Sequence, residues 1–513
     1  MNGDLSRVTF NPLKHFTSIV LQQGRVQMDS DANEQTAILL HYLRSMVADL
    51  IGPHGGPEDL SVNNVDGIPQ LRGRNCGFAI IAAKGPREAP TFFPDDNLLD
   101  DEKKVLTDAL GSNQLALAFT GGHYYVKGHL CENETPWRYA DQPYLQRAND
   151  DEIKKLVNGV YLVYLDVWER FVSSVDDPSI REVALGGADT AARMKLIWQV
   201  KIGTAPLEAP PNSCEGFNDV WPEIKGDLNP PNRGRLSARA RGSEADAEED
   251  VCITSPEARY RGLENQLYRV EIHRGGPASQ GDTNLDVAAT FKWSRNNATN
   301  VVALKEKNGD RLIVSGLRDF SRWFRPGEWI EVTHEALELR GLPGTLVRLA
   351  GVEGETLTID PYTTSGTIPE PDDLFENLPI RNLKVRGWDH TQPEDDLLID
   401  GAIPVEENQE IELEDGVFIK FQTGNPAHQY RTGDYWVIPA RVATGDVEWP
   451  QQRVKPDDPA NTEMEAKPLP PNGIDHHFAP LAALTLDGGA VTQIVDLRHV
   501  FEPLARCATP ANR

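Results

Sequence analysis

Gln22-Gln-Gly-Arg-Val-Gln-Met-Asp-Ser-Asp-Ala-Asn-Glu-Gln35, running on to Ile51-Gly-Pro-His-Gly-Gly-Pro57, holds the one long, well-bounded amphipathic helix that the sequence shows. Val26 and Met28 alternate with Arg25, Gln27 and Asp29, which suits a short half-buried strand. Asp31 and Glu34 then have the spacing of a capping box, the first carboxylate accepting from free N–H groups and the second reaching back. Leu39, Leu43, Met46, Val47 and Leu50 follow at helical spacing and form one apolar face. Gly52-Pro53 is the stop, because glycine closes a helix in a left-handed conformation and proline cannot continue it. The pattern predicts a helix over about 31–51.

Almost everything beyond it reads as strand and loop. Phe78 to Ala83 and Gly159-Val-Tyr-Leu-Val-Tyr-Leu-Asp-Val-Trp168 are rich in β-formers, and Met194 to Ile202 is the expected partner of the second run. Leu115 to Phe119 and Tyr124 to Val126, separated by Thr120-Gly-Gly-His123, predict a hairpin. Glu152 to Val157 suits a short helix, and residues 85–104 a proline- and acid-rich surface excursion. Five strands are expected between 300 and 362, at Val301–Lys305, Arg311–Val314, Trp329–Thr333, Thr345–Ala350 and Thr356–Ile359. Turn signals at Asn308-Gly, Pro326-Gly, Pro343-Gly and Glu353-Gly separate them, the rhythm of a small barrel. Arg325-Pro-Gly-Glu-Trp-Ile330 and Arg431-Thr-Gly-Asp-Tyr-Trp436 share a local pattern, each suited to a turn feeding a strand.

These elements make the fold mainly β and multidomain, with small barrel- or sandwich-like modules, one N-terminal helix and long polar loops. The expected division is an N-terminal α+β domain over 1–203 and a polar linker over 204–262. A β module over 263–362 and a C-terminal β module over 363–513, with a proline-rich excursion at 450–473, complete it. The linker contains Ser237-Ala-Arg-Ala-Arg and Glu244-Ala-Asp-Ala-Glu-Glu-Asp250, a switch from basic to acidic that is too polar to bury.

A chain of 513 residues exceeds one core, and its 39% apolar content is ordinary for a folded protein. The net charge of −27 argues against nucleic acid, whose phosphates demand a basic face, and against docking on anionic membranes. Five scattered cysteines (Cys76, Cys131, Cys214, Cys252, Cys507) fit free thiols in a reducing compartment better than a disulfide framework. The opening Met1 to Arg7 lacks the apolar core of a signal peptide, and no run reaches membrane-spanning length. Synthesis in a bacterial cytoplasm is the expectation.

Motifs for chemistry are sparse. The sequence has no phosphate loop, Gly-x-Ser-x-Gly elbow, Cys-x-x-Cys pair or His-Glu-x-x-His helix, and it implies no cofactor. His123 and His129, and the adjacent His476 and His477, fall short of the three or four converging ligands of a zinc site. Asp166 and Glu169 bracket Trp168, an arrangement a glycosidase uses only when its two carboxylates converge and one is raised in pKa. Ten tryptophans offer either sugar platforms or core packing.

The segment 22–35, with Asp49-Leu-Ile-Gly-Pro-His-Gly-Gly-Pro57, Val167-Trp-Glu-Arg170, Glu182-Val-Ala-Leu-Gly-Gly-Ala-Asp-Thr190 and Trp198-Gln-Val200, resembles an uncharacterised bacterial family. Leu267 to His273, Ala289 to Asn296, Gly433 to Arg441 and His476 to Leu481 extend the resemblance over nearly the whole chain. Members resemble components encoded with phage-tail-like contractile injection systems, which implies a baseplate or baseplate-extension role and carries over no catalytic residue. The family pattern has a tryptophan where this chain has Ala32, so no aromatic contact at the cap is carried over.

The resulting expectation is a non-catalytic structural protein without cofactor or metal. Its partners are other subunits of a large particle (baseplate, sheath or spike proteins), with no nucleic acid and no membrane insertion. Arg25, Asp29, Asp31 and Glu34 are its candidate interface residues. The alternative is a carbohydrate-binding or glycoside-hydrolysing protein acting on cell envelopes through Asp166 and Glu169.

Overall fold

The computed structural model describes residues 8–57, 77–93, 98–110, 115–145, 156–203, 207–211, 213–240, 259–281, 283–316, 323–376, 378–390, 398–454, 464–487 and 490–502. Its contacts divide the chain into two units, each assembled from separated segments and not from consecutive blocks. The helix unit comprises Ser6–Glu169, Leu196–Asn229 and Asp475–Arg513; the barrel unit comprises Arg170–Lys195 and Pro230–Ile474.

In the helix unit, the helix spans Asp29–Ile51 and stops at Gly52, whose φ is +97 and whose N–H reaches Ala48 O at 2.8 Å. It starts two residues before the expected cap. Met28 occupies the N-cap in extended conformation, and the Asp31 carboxylate accepts its N–H at 3.1 Å. Asp31 is therefore the residue that reaches back, and Glu34 instead accepts from the Thr9 hydroxyl. Val26 and Met28 form no strand; both side chains are exposed on the segment that leads into the helix. Asp29 and Asp31 in the first turn meet the positive end of the helix dipole. A second helix, Asp100–Ala109, begins in the last residues of the expected excursion, runs five residues past it and buries Leu106.

Three sheets complete this unit. One is ordered Val500–Phe501, His54–Pro57, Gly122–Val126, His129–Asn133; another Thr91–Phe93, Ile80–Lys84, Leu115–Phe119, Trp137–Arg138. The third is Ala490–Asp496, His477–Asp487, Gly159–Val172, Arg193–Ile202, so the two long strands neighbour each other as expected. The hairpin expected across Thr120 to His123 does not form. Leu115–Phe119 pairs with Ile80–Lys84, whereas Gly122–Val126 pairs with His129–Asn133. Thr120 sends its carbonyl to Phe78 N at 3.1 Å and Asn133 Nδ2 at 2.9 Å, which turns the chain from one sheet into the next. Trp198 anchors the core, its ring edge-on to Phe78, Phe119 and Tyr144 and its indole N–H on Glu132 O at 2.9 Å. The helix expected at Glu152 to Val157 falls mostly outside the described residues.

The barrel unit contains a closed six-stranded barrel ordered Val301–Asn308, Arg311–Ser315, Thr356–Asp360, Thr345–Glu353, Trp329–Thr333, Lys384–Trp388. Five of these are the expected strands. The sixth, Lys384–Trp388, comes from beyond residue 362 and pairs with both Val301–Asn308 and Trp329–Thr333, closing edges that five strands leave open. An open five-stranded sheet runs Ile403–Pro404, Thr290–Ser294, Gln266–Arg274, Tyr435–Arg441, Asp446–Val447. Both members of the shared hexapeptide pattern are turns feeding a strand, with Gly327 at φ +91 and Gly433 at φ +84.

Part of the segment read as linker is built into the two units. Leu236–Arg239 pairs with Phe418–Phe421 in a three-stranded sheet and buries Leu236 and Ala238, while Phe217 and Trp221 are buried on short helices. Two apolar side chains in a four-residue strand suffice for burial but disappear in the average polarity of their surroundings. Its acidic run, residues 244–250, lies outside the described residues, as do 455–463 of the proline-rich excursion.

Phe421 is fully buried against Phe291, Tyr430 and Trp436. Phe421→Ala is expected to cost about 3–5 kcal/mol, measured by urea unfolding. Leu43→Ala on the exposed helix face should stay within about 0.5 kcal/mol.

Candidate functional site

The N-terminal segment is anchored on one side only. An arm of residues 8–28 folds back on the helix through Thr9 to Glu34, Ile19 N–H to Gln35 Oε1 at 2.7 Å, and the Phe10 ring 5.6 Å from His41. Arg44, on the helix, forms a two-point ion pair with Glu169 at 2.6 and 3.3 Å. Its carbonyl lies against Gly128, where an added Cβ would come within 2.5 Å. These contacts fix the helix with Ile38 inward and its apolar face outward. Leu39, Leu43, Met46 and Leu50 are 60, 51, 54 and 75% exposed. Among the four predicted interface residues, Asp31 and Glu34 are occupied within the segment, and Arg25 and Asp29 are exposed.

Asp166 and Glu169 do not converge. A strand turns residues three apart to opposite faces, and each carboxylate is engaged on its own side. Asp166 is buried between Lys201 Nζ at 2.6 Å and His476 Nδ1 at 2.7 Å, with Trp168 packed on the His476 ring at 4.7 Å. Burial works to raise the Asp166 pKa, yet its bonds to His476 and Lys201 hold it below the usual carboxylate range. Glu169 is held by Arg44. Two carboxylates on opposite faces cannot flank one glycosidic bond.

Among the described residues, a fully buried group of charges is one that the sequence reading missed. Arg269, Glu271 and His273 occupy alternate positions of Gln266–Arg274 and so share one face. Lys292 enters from the neighbouring strand, and Glu331 and Trp388 from the barrel. Lys292 Nζ lies 2.6 Å from Glu331, 3.4 Å from Glu271, 3.4 Å from His273 Nδ1 and 4.4 Å from the Trp388 ring centre. Glu331 also accepts from Trp388 Nε1 at 3.1 Å and Gly344 N at 3.2 Å. Arg269 holds Glu271 at 2.6 and 2.7 Å and stacks on Tyr435. Burial would raise Glu331, but Lys292 and His273 outweigh it and keep the carboxyl well below its normal range. His273 is lowered by burial and by Lys292. Each of these carboxylates is paired with buried cations, which makes them poor proton carriers. A second cluster joins Arg170 and Lys384 to Asp176, Glu335 and Glu338 at 2.6–3.4 Å in the same way.

A cavity of about 200 Å³ lies beside the first cluster, lined by His273, Arg274, Thr290, Thr345, Ser365 and Asp400. No nucleophile–base pair is formed by these side chains. Among the described residues no three His, Cys, Asp or Glu side chains converge to hold a metal, and no described helix is long and apolar enough to cross a membrane. His129 stacks on His477 at 4.8 Å, and Cys131 is a buried thiol raised by burial.

The buried clusters yield two expectations. Lys292→Met leaves Glu271 and Glu331 undercompensated and should cost about 3–5 kcal/mol in urea unfolding, with partial recovery on adding Glu331→Gln. Buried histidines set the pH response. Burial lowers His54 and His390 to about 3, and His334 and His477 to about 4. Below pH 6.5 the unfolded chain takes up protons at these rings that the folded chain refuses. Stability is therefore full above pH 6.5 and falls with acidification by about 1.4 kcal/mol per unit for each ring. A flat thermal midpoint between pH 7 and 5 would contradict this.

No curated protein and no solved structure matches the chain significantly. A family described as "Family of unknown function (DUF6519)" matches residues 1–64, 106–207 and 233–492, which include the helix, the barrel and both ionic clusters. With most of its length matched, the chain belongs to that family of unknown function.

Proposed function

We propose that this chain is a non-catalytic structural component of a larger particle, held in place through residues 8–51. The carrying observation is where apolar surface is left uncovered. Of 27 exposed large apolar side chains among the described residues, 13 lie in residues 8–51. Clustered exposure of this kind marks protein contact surfaces. The other 14 are spread along the remaining described residues singly or, at Val183 and Leu185, as a pair, and need no partner. Arg25 and Asp29 lie exposed beside that surface as its polar contacts.

The particle we favour is the phage-tail-like contractile kind whose components the sequence signatures resemble, with baseplate, sheath or spike subunits as neighbours. The carbohydrate reading has less support. Asp166 and Glu169 are both engaged in ion pairs, and all ten tryptophans are buried or half-buried, which leaves no exposed tryptophan to stack on a sugar.

Sedimentation of native lysate is the test. Wild-type chain should co-migrate with megadalton particles, and Leu43→Asp should fall to the monomer fraction by roughly tenfold or more while keeping its thermal midpoint. Wild-type chain confined to the monomer fraction would remove the proposal.

A further inference from the structure

The exposed face of Asp29–Ile51 has a periodicity that specifies the shape of its partner. Ala32, Thr36, Leu39, Leu43, Met46 and Leu50 are all exposed and recur at alternating intervals of four and three. At 3.6 residues per turn this row runs straight along the side opposite Glu34, Ile38, Arg44 and Ala48, the side that faces the chain's own body. A four–three row is the seam into which a second helix inserts its side chains. Leu40 and Tyr42 are exposed beside it and widen the apolar band.

Charge at the ends of the seam decides between a second copy and a different partner. Asp29 opens the row and Asp49 adjoins Leu50 at its close, both exposed, and the last turn carries no basic residue. Two copies in parallel register would set Asp29 beside Asp29. Two copies antiparallel would set each Asp29 against the carbonyl end of the other helix, where Asp49 lies and the dipole is already negative. A chain of net charge −27 adds repulsion in both cases. Self-pairing thus places like charges at the seam ends in either direction. A helix with lysine or arginine at both ends reverses each of these contacts.

We infer that the seam docks an α-helix of a different protein, apolar at four–three spacing and basic at both ends. This rests on the assembly reading above and adds the chemistry of the partner to it.

The probe is a synthetic amphipathic peptide of about 24 residues, long enough to span the helix, with leucine along its seam and lysine at both ends. A twin carries glutamate in place of lysine, and a third scrambles the leucines. Fluorescence anisotropy with the full chain should show the lysine peptide binding roughly tenfold tighter than its glutamate twin at low salt, with the gap closing by about 0.5 M salt. Met46→Asp should abolish binding with the thermal midpoint unchanged. Asp29→Lys combined with Asp49→Lys should reverse the preference towards the glutamate peptide.

Equal binding of the two charged peptides, or equal binding of the scrambled lysine peptide, would overturn the inference. So would a dimer in sedimentation equilibrium that Leu43→Asp dissolves, which would make the occupant a second copy. If no peptide binds while Leu43→Asp still leaves the particle fraction, the helical partner fails and the assembly reading survives. If Leu43→Asp also stays in the particle, both fail.

Discussion

The contact between Lys292 and Glu331, 2.6 Å apart and removed from water, joins a strand of the open sheet to a strand of the barrel. Burying either charge alone is costly, and burying both is repaid only if the geometry is close and the remaining hydrogen-bonding positions are filled. Glu271, His273, Trp388 and the Gly344 N–H fill them. A one-residue slip of either strand would turn its charged side chain to the other face and leave the opposite charge buried without its partner. The pair thus specifies register more than it adds net stability. The Arg170–Lys384 cluster repeats the device with Asp176, Glu335 and Glu338.

Local chemistry was legible in the sequence wherever it decided the structure unaided. Gly52-Pro53 ends the helix, five of the six barrel strands fall where the turn signals place them, and both arginine-x-glycine-acid-aromatic hexapeptides form turns feeding strands. What escaped depends on distant pairing. The Thr120 to His123 turn resembles a hairpin because its flanks suit strands, but each flank has a stronger partner elsewhere. Lys384–Trp388 gives no sign of belonging to the barrel until both of its neighbours are known.

The ionic cluster escaped for a related reason. Tyr268-Arg-Val-Glu-Ile-His273 alternates apolar and charged residues, the pattern of a sheet with one wet face. Here the barrel covers that face as well, so the charged row is buried along with the apolar one. Alternation reports which side chains share a face, and the covering element decides whether that face meets water. Charged residues at alternate positions on several strands of opposite sign, as at Arg269, Glu271, Lys292 and Glu331, are the signal that could have raised the question.

The helix presents the complementary case. Its apolar residues do share one face, yet the chain buries the other side, through Ile38 and the Arg44–Glu169 pair. Apolar spacing along a helix identifies the side that avoids water and does not say whether the cover lies in the same chain. Anchoring by ion pair and by backbone contact at Gly128 holds the helix without committing its leucines to the interior. That division of labour separates folding from docking. A polar substitution along the seam leaves the packed body intact, whereas the same substitution in the barrel would strike its core. The proposed assembly role needs such a separation, because a subunit made before its neighbours must fold while its contact surface is still uncovered.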